Sequence, residues 1–206
     1  MPRVILPNER TSLIVEAHGP QRMKVQYATG GGPGDGAYVV VRSPNTLVYA
    51  LDPRAVAAAA YCILLARARA GRVLPSEYRP REQDFDRSVV ASVTLRGDRR
   101  ITEPRTLDDN HSPSGIAHVH LRLDGLTLRL YDRAALDTYA KAWVGAHEAA
   151  TNAFGVGHMP SIQTLLHRAT QQARTPYRLD ALSMNDRELP GTRAARVERS
   201  SELRSL

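Results

Sequence analysis

Residues 118–131 constrain the fold more than any other part of this 206-residue chain. Two alternating runs, 118–123 and 126–131, flank the dipeptide Asp124-Gly125. Asp-Gly between alternating runs is the strongest short-range signal for a β-hairpin, because the tight turn needs residues that tolerate positive φ. Side chains alternate between the two sides of a strand, so the hairpin also determines which residues share a face.

One face of this hairpin is predicted to be core and the other to be exposed. Pairing Leu123 with Leu126 places six aliphatic side chains on the core face: Val119, Leu121, Leu123, Leu126, Leu128 and Leu130. The other side, which we call the second-hairpin face, carries His118, His120, Arg122, Thr127, Arg129 and Tyr131. Cations and flat rings on a sheet suit phosphates and bases. We therefore expect five of these residues to bind nucleic acid: His118, His120, Arg122, Arg129 and Tyr131.

A similar pattern occurs 80 residues earlier in the chain, where residues 38–70 lie over 118–150 without a gap. Both copies run strand, tight turn, strand, aspartate, helix. Asp52 and Asp132 occupy the position of a helix N-cap, and Pro53 fits the first helical position. Further strands are predicted at 13–17, 23–29, 88–95 and, less regularly, 99–105.

The sequence thus predicts an α+β fold of two related halves, each an antiparallel sheet of about four strands followed by a helix. The halves would span residues 1–74 and 86–156 and pack as one domain, followed in 157–206 by a C-terminal helix at 161–173 and a mobile basic tail. Whether the halves share one continuous sheet is left open by the sequence.

The first hairpin has an unusually apolar outer side. This first-hairpin face consists of Tyr38, Val40, Arg42, Leu47, Tyr49 and Leu51. Contiguous apolar surface of this kind marks a contact, so we expect the face to be covered by the other half, the tail or a second subunit. The predicted interface residues, which would join a homo-oligomer, are Tyr38, Val40, Leu47, Tyr49 and Leu51.

The charge of the chain permits acidic partners. There are 28 basic and 21 acidic residues, and the formal net charge is +7. Residues 1–80 carry ten basic and five acidic groups, whereas 81–159 carry ten and eleven, so the basic excess lies in the first segment and in the tail. Nucleic acid is therefore a candidate partner.

The remaining sequence features concern the cellular compartment of the protein and its association with membranes. Cys62 is the one cysteine and lies in the apolar run 55–66, which predicts a buried structural thiol. That run is too short to span a bilayer, so we expect a cytoplasmic protein with no membrane partner.

The pair His118-x-His120 could share a metal ion, with a third ligand from Glu103, Asp108, Asp109 or His111. Residues 117–121 also resemble the His-hydrophobic-His motif of the HUH endonucleases, which implies a divalent metal and a tyrosine that attacks a DNA phosphate. Tyr139 is two residues from Lys141, and no lysine follows Tyr177, which departs from the pattern of that family. No metal or other cofactor is therefore expected.

Three functions remain open, in this order. The first is a non-enzymatic nucleic-acid-binding or regulatory protein, acting on single-stranded DNA or RNA, whose topology is similar to the PUR-repeat and whirly-type binders. The second is an interaction or oligomerisation module without nucleic acid. The third is an HUH-like metal-dependent endonuclease.

Overall fold

The structure is a computed structural model, and it describes residues 13–30, 36–70, 73–78, 91–97, 101–112, 115–155 and 159–174. All of these residues belong to the first of two units of the chain, Met1–Arg174. The second unit, Thr175–Leu206, which contains the predicted mobile tail, lies outside the described residues, as do residues 88–90 and 99–100 of two predicted strands.

The described residues form eight strands and three helices. The strands are β1 (Leu13–Ala17), β2 (Lys24–Ala28), β3 (Tyr38–Ser43), β4 (Thr46–Ala50), β5 (Ala91–Leu95), β6 (Arg105–Leu107), β7 (His118–Leu123) and β8 (Leu126–Leu130). The helices are α1 (Pro53–Ala70), α2 (Arg133–Phe154) and α3 (Ile162–Arg174). None of the described helices is long and apolar enough to cross a membrane.

The strands form two four-stranded sheets, so the fold is α+β as predicted. Sheet A has the order β1-β8-β7-β6, and sheet B has the order β2-β3-β4-β5. Both sheets are mixed, because β1 runs parallel to β8 and β5 runs parallel to β4. The expectation that each half builds an antiparallel sheet from its own strands is wrong. The first strand of each half instead pairs with the hairpin of the other half.

This exchange could not be read from the hairpin signals. Alternation and turn residues identify strands that pair across a tight turn, whereas a strand joined by a long connection can enter either sheet. The predicted strand at 99–105 is also displaced. Ile101 forms an isolated bridge with Leu123, and the paired strand β6 begins only at Arg105.

Both hairpins have the predicted register. Leu123 pairs with Leu126 and His120 with Arg129, and Ser43 pairs with Thr46 in the first hairpin. The turn residue Asp124 has the expected positive φ, at 55°. The alternation of apolar and polar residues therefore determined the strand pairing within each hairpin.

The aliphatic faces of the sheets and the helices form one core. All six predicted core residues of the second hairpin are at most 1% exposed. Helix α2, which follows sheet A in the chain, packs on β2 and β3 of sheet B, and α1 packs on β6 and β7 of sheet A. The two helices also pack against each other, where Ala59 and Ala60 of α1 are buried. Burial of each large aliphatic side chain contributes about 1.5–3 kcal/mol.

Asp132 joins three segments at the start of α2. Its carboxylate is fully buried, and Oδ1 accepts the amide of Ala135 at 2.7 Å, as expected of an N-cap. Oδ2 accepts the amides of Gly19 at 2.6 Å and Tyr78 at 3.1 Å. One side chain therefore caps a helix and anchors both the end of β1 and the segment 73–78. Its counterpart Asp52 is half-buried and accepts the amide of Arg54 at 2.7 Å.

Replacement of Asp132 by alanine should destabilise the protein far more than the same change at Asp52. Loss of the cap and of two further acceptors should cost about 2–4 kcal/mol, against about 1 kcal/mol for Asp52→Ala. Urea unfolding followed by circular dichroism measures both losses. Equal losses in the two variants would contradict the role assigned to Asp132.

Candidate functional site

The second-hairpin face has its side chains on one side of sheet A, but only part of that face is accessible. Arg122 is exposed, and His120 and Arg129 are half-buried. His118 is 2% exposed and Tyr131 is 6% exposed, so neither can present its ring to a ligand in this conformation. The register prediction was correct, whereas the expected exposure of these two residues was wrong.

Neighbouring rings account for the burial of His118 and Tyr131. The His118 and Tyr131 ring centroids are 5.4 Å apart, and Tyr78 stacks on Tyr131 at 5.5 Å. His118 Nδ1 donates to the carbonyl of Ile116 at 3.0 Å, which orients the imidazole towards its own strand connection. These residues form a packed aromatic cluster at the end of sheet A.

Glu16 balances the charge of Arg129 on the second-hairpin face. The exchange of β1 places Glu16 directly opposite Arg129. Its Oε1 accepts a bond from Arg129 Nη1 at 3.2 Å and from the Tyr131 hydroxyl at 2.8 Å. Burial, reinforced by the Glu16 carboxylate, raises the pKa of Tyr131 from 10.0 to about 12. The hydroxyl and the guanidinium that were predicted to meet nucleic acid are therefore engaged within the protein.

The geometry gives no support to a metal centre. Among the described residues, no group of three or more histidine, cysteine, aspartate or glutamate side chains is placed to hold a metal ion. The residues predicted as a third metal ligand instead form contacts in the loop before β7 or at the surface. Asp108 accepts from His111 Nδ1 at 2.6 Å, Asp109 accepts the amide of Ala117 at 2.7 Å, and Glu103 lies 3.5 Å from Arg69.

The two candidate nucleophiles in described parts of the chain are buried. Tyr139 is 3% exposed within α2, and burial raises its pKa. Cys62 is 5% exposed, and burial raises the pKa of its thiol to about 12. Cys62 is thus a structural thiol, as predicted, and Tyr139 cannot reach a DNA phosphate from the core. Tyr177 lies outside the described residues.

Five residues of the first-hairpin face, in contrast, line an open groove of about 610 Å³ on sheet B, and Leu51 is not among them. Together with Gln26 of β2 they share one face of the sheet: Tyr38, Val40, Arg42, Leu47 and Tyr49. Val25 and Tyr27 of the edge strand β2 complete the lining. Helix α2 packs against the other side of this sheet, where Val39 and Val41 are buried.

The groove combines aromatic rings with the positive charge of Arg42, beside which Lys24 lies on β2. Lys24 lies opposite Arg42 in the β2–β3 pair, and both side chains are exposed. Neither forms an ion pair with any described residue, and no carboxylate is among the lining residues that the structure describes. The Tyr38 and Tyr49 rings are 6.2 Å apart, and Tyr27 is 49% exposed.

Sequence reasoning assigned this face to subunit contacts and did not single out Lys24, Gln26 or Tyr27. The sequence signal for these residues was the charge distribution, because residues 1–80 carry an excess of basic over acidic residues. Lys24, Gln26 and Ala28 alternate along β2 and therefore share a face. Had the β2–β3 register been known, this alternation would have predicted that Lys24 lies beside Arg42.

Glu16→Gln should lower the pKa of Tyr131 part of the way towards 10.0, because burial, the largest cause of the shift, remains. Ultraviolet absorbance of tyrosinate against pH measures this, with Tyr131→Phe subtracted to isolate one tyrosine. Since the folded state holds the proton, stability should be constant below pH of about 10 and fall as pH rises towards about 12. A Tyr131 midpoint unchanged by Glu16→Gln would refute the assigned contact.

No protein-family model, no curated protein and no solved structure matches this chain. The chemistry of its two outer sheet faces is therefore the basis on which a function can be assigned.

Proposed function

We propose that this protein is a non-enzymatic binder of single-stranded nucleic acid and that the groove on sheet B is its binding surface. One observation carries the proposal. Arg42 lines a groove that also holds Tyr38 and Tyr49, Lys24 is its neighbour on β2, and neither cation has an ion-pair partner among the described residues. A surface of this composition is complementary to a chain that carries both phosphates and bases.

The aromatic and the cationic side chains contribute to such binding in different ways. Stacking of a base on an aromatic ring contributes about 1–3 kcal/mol and tolerates any base. Cations contribute a sequence-independent attraction to phosphate that weakens as salt rises. A duplex hides the faces of its bases, so the half-buried tyrosines that line this open groove favour single strands.

The second-hairpin face is a weaker candidate for the same role. Its Arg129 is paired with Glu16, and His118 and Tyr131 are buried. Arg122 remains exposed on that face. We therefore locate the predicted activity on sheet B, and we use the residues of sheet A as matched controls.

The same proposal extends to the origin of the fold as a duplicated ββββα unit. Two hydrogen bonds lie at equivalent places, one where β5 joins sheet B and one where β1 joins sheet A, and they support this proposal. The Leu51 amide donates to the Leu95 carbonyl, and the Tyr131 amide donates to the Ala17 carbonyl, each at 3.0 Å. The glycine two residues beyond each acceptor has positive φ, 66° at Gly19 and 101° at Gly97.

Under this duplication, the two outer faces have diverged at equivalent positions. Tyr49 on sheet B is equivalent to Arg129 on sheet A. The residue opposite Tyr49 is Thr94, whereas the residue opposite Arg129 is Glu16. The ion pair of sheet A is thus replaced on sheet B by a tyrosine and a neutral threonine. This difference gives sheet B an aromatic side chain at that position, near Lys24 and Arg42, which have no ion-pair partner among the described residues.

Fluorescence anisotropy with a labelled mixed-sequence single strand tests the proposal. With two cations engaged, log Kd should change with log salt with a slope of magnitude about 1.4, and Arg42→Ala should reduce that magnitude by about 0.7. Tyr49→Ala should weaken binding about five- to hundredfold through lost stacking. Arg129→Ala serves as the control and should leave affinity nearly unchanged, because its charge is balanced by Glu16.

Two outcomes would contradict the proposal. Loss of binding in Arg122→Ala and Arg129→Ala, but not in Arg42→Ala, would place the site on sheet A. Absence of binding at low salt, together with self-association that Tyr49→Asp disrupts, would assign the first-hairpin face to the predicted homo-oligomer. Sedimentation of the wild type and of Tyr49→Asp makes that distinction.

A further inference from the structure

We infer that the groove on sheet B is a site for a terminal nucleotide, with the end phosphate held by Lys24 and Arg42 and the base held by Tyr38 and Tyr49. The inference rests on the proposed function and deepens it. It specifies the ligand as a nucleoside phosphate, present at the end of a strand or free in solution. It also specifies how that ligand is oriented.

The charges and the rings of the groove occupy successive rows of the sheet. Lys24, Arg42 and Leu47 form one row across β2, β3 and β4, because Lys24 pairs with Arg42 and Arg42 with Leu47. The next row contains Gln26 and Tyr49, on either side of Val40. Successive rows on one face are about 7 Å apart. Arg42 therefore lies towards one end of the groove, with Lys24 beside it on β2.

Tyr38 lies in the row beyond, towards the other end of the groove. Tyr38, two residues along β3 from Val40, contacts Tyr49, with the ring centroids 6.2 Å apart and the planes inclined by 52°. Val40 is 8% exposed and forms an apolar floor beneath these rings. A planar base can rest on this surface, while the phosphate of the same nucleotide reaches the cationic row.

Gln26 lies in the same row as Tyr49, between the cationic row and the row of Tyr38. Its side chain is exposed and its amide offers both donors and an acceptor. A group of this kind can bond the edge of a base or a sugar hydroxyl. The cationic row and Tyr38 lie on opposite sides of this middle row, as the phosphate and the base lie on opposite sides of the sugar within a nucleotide.

The dimensions agree with a short ligand. The groove volume of about 610 Å³ falls within the range of roughly 300–1,000 Å³ typical of small-ligand sites. Three strands span about 10 Å across the sheet. A groove of this length and width accommodates one or two nucleotides, whereas a site built for a long strand would distribute its cations along the whole path.

Competition against a long labelled oligothymidylate tests the inference. The competitors are a thymidine dinucleotide without a terminal phosphate, its 5′-phosphorylated form and its 3′-phosphorylated form. At least one phosphorylated form should compete about tenfold better than the unphosphorylated dinucleotide, because it adds a charge-assisted contact to the cationic row. Thymidine monophosphate tests whether a free nucleotide suffices.

Substitutions test which residues hold the phosphate of the ligand and which hold its base. Lys24→Ala combined with Arg42→Ala should abolish the preference for a terminal phosphate. Tyr49→Ala should weaken every competitor while leaving that preference in place. Arg122→Ala, which removes an exposed cation from sheet A, should change neither property.

The inference and the proposed function fail in different ways. If the long strand binds but millimolar dinucleotides do not compete, or if a terminal phosphate gives no advantage at either end, the terminal site is wrong and the proposed function stands. If the long strand itself does not bind at low salt, the proposed function is wrong.

Discussion

The parallel pairing of β1 with β8 and of β5 with β4 is the constraint on which the rest of the structure depends. Each hairpin is completed by a strand from the other half, and each following helix packs on the other sheet. Neither half can therefore bury its core alone. The buried carboxylate of Asp132 stabilises one of these exchanges, because it bonds the amide of Gly19 at the end of β1 while it caps α2.

The exchange also decides the chemistry of the two outer faces. On sheet A, β1 brings Glu16 beside Arg129, so that charge is balanced inside the protein. On sheet B, β5 brings Thr94 to the equivalent place, and no described carboxylate balances Arg42. The same scaffold thus presents one face on which Arg129 is paired with Glu16 and one on which tyrosines lie beside two cations that have no ion-pair partner among the described residues, and we propose the second as the nucleic-acid surface.

Local features were predictable from the sequence, and long-range pairing was not. The Asp124-Gly125 turn and strict alternation gave the register of the second hairpin, and Asp132 was recognisable as an N-cap because its partner Ala135 is three residues away. Glu16 and Arg129 are 113 residues apart, and no periodicity connects them. For that reason the sequence predicted the contents of the second-hairpin face correctly, but not its burial or its neutralisation. The surplus of positive charge in residues 1–80 was the sequence signal for the other face.

The most direct test of the central claim is photo-crosslinking of a single-stranded oligonucleotide to the wild-type protein, with the attached peptides located by mass spectrometry. Binding on sheet B predicts crosslinks to Tyr38 or Tyr49, and to Tyr27 at the edge of the groove. Crosslinks confined to residues 118–131 would contradict the account, because they would place the nucleic acid on the face where Glu16 pairs with Arg129.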